Sequence, residues 1–206
     1  MISYVSHMLV LPYVVGDVVL FVEIRWHGRG GQGVWTVSNL LAVAASYEDK
    51  YVQSFPAFGP ERSGAPVLAF TRISDEPIEI HSMVYEPDAV VVLDCTLLGS
   101  RAIVEGLKKN GTIVTNYEDE PSKVYGVIGV EKGEYRIYTC PASRLALEVL
   151  KRPITNTAML GSLLKALPIV KLESVFKAIE ERFPGPIAEK NIELVKRAYN
   201  ETQEVK

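Results

Sequence analysis

The sequence predicts an α/β fold: a single domain on a largely parallel sheet, with helices on both faces and a helical C-terminal region. Three observations carry this expectation. From Phe21 onward, short β-rich runs alternate with helix-periodic stretches. Ala89-Val-Val-Val-Leu93 is a continuous apolar run rich in β-branched residues, the pattern of a strand covered on both faces. The last third holds helix-periodic segments divided by prolines. The chain has 206 residues, 48% hydrophobic and 23% charged, which suits one packed domain and excludes a disordered or collagen-like chain.

The elements follow in order. Phe21 to Trp26 predicts a first strand, and His27 to Gly33 is a glycine-rich turn. Val34 to Glu48 predicts a helix, with Val34, Val37, Leu40, Leu41, Ala44 and Ala45 at helical spacing. Tyr51 to Phe55 reads as a second strand, Pro56 to Gly64 as a rigid loop, Pro66 to Ile73 as a third strand and Pro77 to Ser82 as a fourth, at an edge. The strand Ala89 to Leu93 has Asp94 at its carboxyl end. Gly99 to Asn110 has helical spacing and a natural stop at Gly111, and Thr112 to Thr115 is a short buried strand. Val124 to Val130 and Glu134 to Cys140 read as strands paired through a turn at Lys132-Gly133. Pro141 opens a helix to Leu150, and three amphipathic helices follow over Thr157 to Leu167, Leu172 to Phe183 and Ile187 to Tyr199. Pro168, Pro184 and Pro186 separate them.

Residues 1–21 read as an N-terminal extension, and residues 22–206 as the domain itself. Pro12, Gly16 and Asp17 interrupt the apolar start, and no Lys or Arg precedes Arg25, which argues against a spanning helix and a secretory signal. We expect a translated leader from an upstream start codon; an extra strand or hairpin is the alternative. With no membrane segment or targeting signal, the expected location is the cytoplasm. The net charge of −3 gives no basic excess for nucleic-acid binding. Two cysteines, Cys95 and Cys140, are too few for a disulfide scaffold and form no CxxC, so this chain alone is expected to bind no metal or iron–sulfur cluster. Both read as buried free thiols beside turns.

The sharpest motif is Gly28-Arg29-Gly30-Gly31-Gln32-Gly33. It fits G-x-G-x-x-G between a strand and a helix, where successive N–H groups can face one anion. A dinucleotide site would want an acid about 20 residues on, and Gln53-Ser54-Phe55 offers none. Two other readings stay open: a tight turn with no ligand, and a site for an anion or a partner's backbone. The loop Ser54 to Ala65 stands beside this turn at the carboxyl ends of the strands, and Glu61, Arg62, Ser63 and Gly64 form a second candidate cluster. Its alternative is a rigid loop that presents Phe55 and Phe58 to a neighbouring chain. His27 reads either as a donor to a ligand or as a packed imidazole, and Asp94 as an acid or as the cap of the next turn. No G-x-S-x-G occurs, and no catalytic residue is expected in this chain.

These residues resemble a known family. Glu23-Ile-Arg-Trp-His-Gly-Arg-Gly-Gly-Gln-Gly33 is similar to the opening of the gamma subunit of pyruvate (2-oxoacid):ferredoxin oxidoreductases. Gln53 to Pro66 resembles the family's second signature and Asp88 to Asp94 its third. Thr155-Asn-Thr-Ala-Met-Leu-Gly161, Leu172-Glu-Ser174 and Glu189-Lys-Asn191 match its tail, and the likeness spans Val22 to Tyr199. It implies a multi-subunit enzyme that decarboxylates a 2-oxoacid on thiamine diphosphate with magnesium. Electrons pass through 4Fe–4S clusters to ferredoxin, and the acyl group passes to coenzyme A. Alpha and beta subunits would hold the thiamine and a delta subunit the clusters. The gamma chain would pack on them and help bind coenzyme A. From its N–H donors and two fixed cations, we expect the turn Gly28 to Gly33, with Arg29 and Arg62, to face a coenzyme A phosphate or the neighbouring subunit. The contrasting reading is a stand-alone nucleotide-binding or regulatory module.

Overall fold

The computed structural model describes residues 20–57 and 64–206. Residues 1–19, and with them nearly all of the expected N-terminal extension, lie outside the described residues, as do Phe58 and residues 59–63. Among the described residues one mixed sheet contains β1 (Phe21–Arg29), β2 (Tyr51–Pro56), β3 (Pro66–Ser74), β4 (Ala89–Val92), β5 (Thr112–Asn116), β6 (Arg136–Cys140) and β7 (Gln203–Glu204). The strand order is β2-β3-β1-β4-β5-β6-β7. The centre, β1-β4-β5-β6, is parallel, while β3 runs antiparallel between β1 and β2, and β7 antiparallel to β6. The helices are α1 (Val34–Ser46), α2 (Val124–Ile128), α3 (Ala142–Leu150), α4 (Asn156–Ala166), α5 (Leu172–Arg182) and α6 (Gly185–Glu201).

The alternation of side chains along β4 explains its wholly apolar sequence. Ala89 and Val91 join Ile24, Trp26, Val114 and Tyr138 in a large core shared with α1, α3, α4, α5 and α6. Val90 and Val92 join Ile113, Ile137, Leu98 and Ile103 in a smaller core on the other face, closed by α2 and two short 3-10 turns, Cys95–Leu97 and Arg101–Ile103. A strand buried on both faces has no polar position to fill. Helix α1 sits close on β3 because Ser38 is small and satisfied: its Oγ donates to Phe70 O at 2.7 Å and lies 2.9 Å from Thr71 Oγ1.

Beyond the smaller core, the same face of β1, β2 and β3 is polar yet covered. Arg72 is only 1% exposed; its Nε donates to Glu23 Oε1 at 2.8 Å and its Nη groups to Gln53 Oε1, Ile80 O and Ser82 O. Arg25, also buried, donates Nη2 to the carbonyls of Ala102, Ile103 and Glu105. Such buried cations persist only when their donors are matched.

These two arginines account for two departures from the sequence reading. Pro77 to Ser82 is not a strand, since its carbonyls accept from Gln53 and Arg72 instead of a ladder. Gly99 to Asn110 is not a helix but a 3-10 turn and loops: Ser100 caps a new turn, and Arg25 takes the carbonyls that would continue it. The expected hairpin of Val124 to Val130 with Glu134 to Cys140 is replaced by helix α2, which buries Val124 and Ile128 one turn apart and stops at Gly129 in the left-handed region. Strand β6 pairs instead with β5 and β7. Cys140 is buried as expected, whereas Cys95 is exposed. The α/β class, the parallel centre and the helical C-terminal region stand as read.

Candidate functional site

After β1 the chain crosses to the α1 face of the sheet, and after β4 to the opposite face, so their carboxyl ends diverge. In open α/β sheets that divergence makes a crevice for ligands. The glycine turn lies there. Gln32 ties it down: its Oε1 accepts from Arg29 N at 2.8 Å, and its Nε2 donates to Asp94 Oδ2 at 2.8 Å. Gly33 is the N-cap of α1 at φ 73°, and a Cβ there would stand 2.5 Å from Asn156 Nδ2.

Arg29 reaches across the crevice. Its Nε is 3.3 Å from Asp94 Oδ2, its Nη2 donates to Thr96 Oγ1 at 2.7 Å, and its Nη1 to Gly64 O at 3.1 Å. Asp94 also caps the following 3-10 turn, accepting from Thr96 N at 3.0 Å and Thr96 Oγ1 at 2.6 Å. Partial burial opposes its ionisation, but the hydrogen bonds from Thr96 and Gln32 and the charge of Arg29 outweigh that and hold its carboxyl below the usual range. Of its two readings, the cap is the one seen.

The second loop does meet the turn: Gly30 N donates to Ala65 O at 2.9 Å, and Gly64 N to Gly30 O at 3.2 Å. Glu61, Arg62 and Ser63 lie outside the described residues. Phe55 packs within its own sheet, 5.2 Å from the Phe70 ring and under the Arg72 guanidinium. His27 is a packed imidazole, with Nε2 accepting from Arg25 Nε at 2.9 Å. Burial, and then the charge of Arg25, push its pKa down to about 3.

The other side of the turn opens on a cleft of about 500 Å³, which the sequence reading missed. Its walls are Gly31 and Gly33 of the turn, Asn156 and Asn191, and the cations Arg152, Arg182 and Lys190. Thr157 Oγ1 donates to Asn191 Oδ1 at 2.8 Å and so joins α4 to α6, while Thr155 Oγ1 donates to Leu93 O at 3.3 Å and seats the start of α4 at the end of β4. A signal for this cleft was present: Asn156, Lys190 and Asn191 belong to the short segments by which the sequence resembles its family. Folding brings those segments to the glycine turn. Among the described residues no group of three His, Cys, Asp or Glu side chains is placed to hold a metal. With two cysteines in all, the chain does not fit a cysteine-ligated cluster by itself.

The sequence profile described as pyruvate ferredoxin/flavodoxin oxidoreductase matches residues 23–201. The chain belongs to this family. It is 50% identical over 181 residues to the pyruvate/ketoisovalerate oxidoreductases common subunit gamma of Thermococcus kodakarensis, covering 88% of this chain and 97% of that one. It is 49% identical over 180 residues to the pyruvate synthase subunit PorC of Methanocaldococcus jannaschii, covering 87% and 96%. The crystal structure of the pyruvate oxidoreductase subunit PORC of Thermotoga maritima superposes with a TM-score of 0.81 at 42% identity, covering 90% of this chain and 99% of that one. Each of these three relatives is described as a subunit of an oxidoreductase.

Proposed function

We propose that this chain is the gamma subunit of a pyruvate (2-oxoacid):ferredoxin oxidoreductase. In that complex a 2-oxoacid, coenzyme A and oxidised ferredoxin give an acyl-CoA, carbon dioxide and reduced ferredoxin. The observation that carries the reading is the near full-length likeness to gamma and PorC subunits. In this reading, alpha and beta subunits hold the thiamine diphosphate and its magnesium, and a delta subunit the 4Fe–4S clusters. The present chain packs on them and presents the turn Gly28–Gly33, with Arg29, Gly64 and the loop residues Glu61, Arg62 and Ser63, toward coenzyme A or a partner's backbone. Two features support a recognition role: a turn held in place by Gln32, and the absence of a side-chain cap on α1. Its proposed location is the cytoplasm, where an exposed free thiol such as Cys95 stays reduced. No helix of the described residues is long and apolar enough to cross a membrane.

Affinity purification from native extract tests the assignment. The co-purifying complex is assayed with pyruvate, 2-oxoisovalerate and 2-oxoglutarate. The expected result is ferredoxin reduction that depends on coenzyme A and one of these acids. A chain that purifies alone and binds a nucleotide would favour the stand-alone module. Within the complex, Arg29→Ala raises the apparent KM for coenzyme A while assembly is spared. An unchanged KM in an intact complex leaves Arg29 a packing role only.

A further inference from the structure

We infer that the face of β1, β2 and β3 opposite α1, with the loop from Asp75 to Asp88 laid over it, is a docking surface. It fits a partner protein with an apolar centre and a rim of Lys and Arg. The inference rests on the subunit reading for the identity of that partner, a catalytic subunit of the same enzyme, and on the face itself for its chemistry.

The helices leave this face bare. Helix α1 packs on the other side of β1 and β3, against Ile24, Trp26, Ala69 and Ile73, and α2 closes the smaller core on β4, β5 and β6. Over the remaining face lies a loop, Asp75 to Asp88, with no helix or strand in it. An antiparallel half-sheet can turn one face to water, and that face is then expected to be polar. The inner row is polar, with Gln53, Arg72 and Glu23 in register. The outside is not. Phe21 and Tyr51, in register with Ser74 and so on this face, and Ile80, Met83 and Tyr85 of the loop are between 37% and 64% exposed. They are five of the ten exposed large hydrophobic residues among the described residues. Single exposed residues need no explanation, but a cluster on one side of the molecule marks an interaction site.

The loop is fixed from below. Arg72 donates Nη1 to Ile80 O at 3.3 Å and Nη2 to Ser82 O at 2.8 Å, and Gln53 Nε2 donates to Ile80 O at 3.0 Å. Val84 is buried between the exposed Met83 and Tyr85. Gly106, at φ 71°, comes so near that a Cβ there would overlap Tyr85 O. A surface held before binding gives up little conformational entropy on docking. Charge decides the kind of partner. The loop carries five carboxylates and no Lys or Arg. Lys50 pairs with Asp75 and Lys108 with Asp88. Glu76, Glu79 and Glu86 are exposed and join no ion pair among the described residues. An acidic rim around an apolar centre is complemented by a basic one. A second copy of this face would set acid against acid, which disfavours a symmetric dimer here.

The test measures association of the full chain with the thiamine-bearing subunits of its enzyme, prepared without it, by surface plasmon resonance at two salt concentrations. Binding is expected, weaker at the higher salt. Met83→Ala with Tyr85→Ala should weaken it by about tenfold or more, the loss of an interfacial anchor. Glu79→Lys with Glu86→Lys should weaken it and reduce its dependence on salt. All four side chains are exposed, so the Tm of the free chain should not change. Leu147→Ala, at an exposed apolar position on α3, should leave association unaltered. If the wild-type chain binds and the face variants bind as tightly, or Leu147→Ala weakens binding equally, the docking face is overturned and the subunit reading stands. If the wild-type chain does not bind these subunits, the subunit reading fails and the inference with it. Self-association of the chain alone that Met83→Ala with Tyr85→Ala disperses in sedimentation would make the occupant a second copy, and would also overturn the inference.

Discussion

Alanine at three glycines of the turn should give three different costs. At Gly33 the φ of 73° is left-handed, which costs an L-residue roughly 1–2 kcal/mol, partly offset by about 0.4–1 kcal/mol from a stiffer unfolded chain. The new Cβ would also stand 2.5 Å from Asn156 Nδ2, a buried side chain that must shift, adding roughly 1–3 kcal/mol. Gly33→Ala should thus destabilise by about 1–5 kcal/mol, and by more than Gly31→Ala in every case because the steric contribution is added to the same conformational one. Gly31 has φ 94° but nothing within 4 Å of its would-be Cβ, so only the conformational term remains, about 1 kcal/mol or less. Gly28 has no positive φ, but a Cβ would meet the buried Val34 at 2.5 Å, for roughly 1–3 kcal/mol of overpacking. Urea unfolding followed by circular dichroism, with m-values compared, reads all three. Equal losses at Gly31 and Gly33 would refute the close packing of Asn156 against Gly33, and a neutral Gly28→Ala would refute the close approach of α1 to β1.

Three further outcomes follow from the same geometry. Arg72→Met strands the Glu23 carboxylate and three other acceptors, and should cost about 3–5 kcal/mol in urea unfolding; a loss under about 1 kcal/mol would contradict the buried network. His27, with a folded pKa of about 3 against 6.5 unfolded, binds its proton only in the unfolded chain between those values, so the stability it contributes is present above pH 6.5 and lost as pH falls below it. Its NMR signals should therefore not titrate from pH 8 to about 5, and His27→Gln should flatten the stability slope between pH 6.5 and about 5 by up to roughly 1.4 kcal/mol per pH unit. Asp94→Asn removes a charged acceptor from Thr96, Gln32 and Arg29, and should lower stability by about 1.5–3 kcal/mol; an unchanged urea midpoint would show that this cluster does not hold the turn.

What the sequence disclosed and what it withheld have physical causes. Ala89 to Leu93 was legible because burial on both faces removes every polar position. The glycine turn was legible because its context, a strand before and a helix after, is local. Val124 to Ile128 was misread because β-branched residues suggest a strand, while burial one turn apart decides for a helix. The segment from Gly99 to Asn110 was misread because the group that claims its carbonyls, Arg25, is remote in sequence. The cleft was hidden for the same reason. Arg152, Arg182 and Lys190 look like ordinary surface charges until α4, α5 and α6 converge on the turn.

Reconstitution tests the assignment most directly. The purified full chain is assayed for 2-oxoacid-dependent ferredoxin reduction, first alone and then added to partner subunits prepared without it. The expected result is no turnover and no bound iron in the chain alone, with coenzyme A-dependent activity restored on addition. Ketoacid oxidation by the isolated chain, or partner subunits whose activity is indifferent to it, would contradict its role as a subunit that serves a catalytic pair.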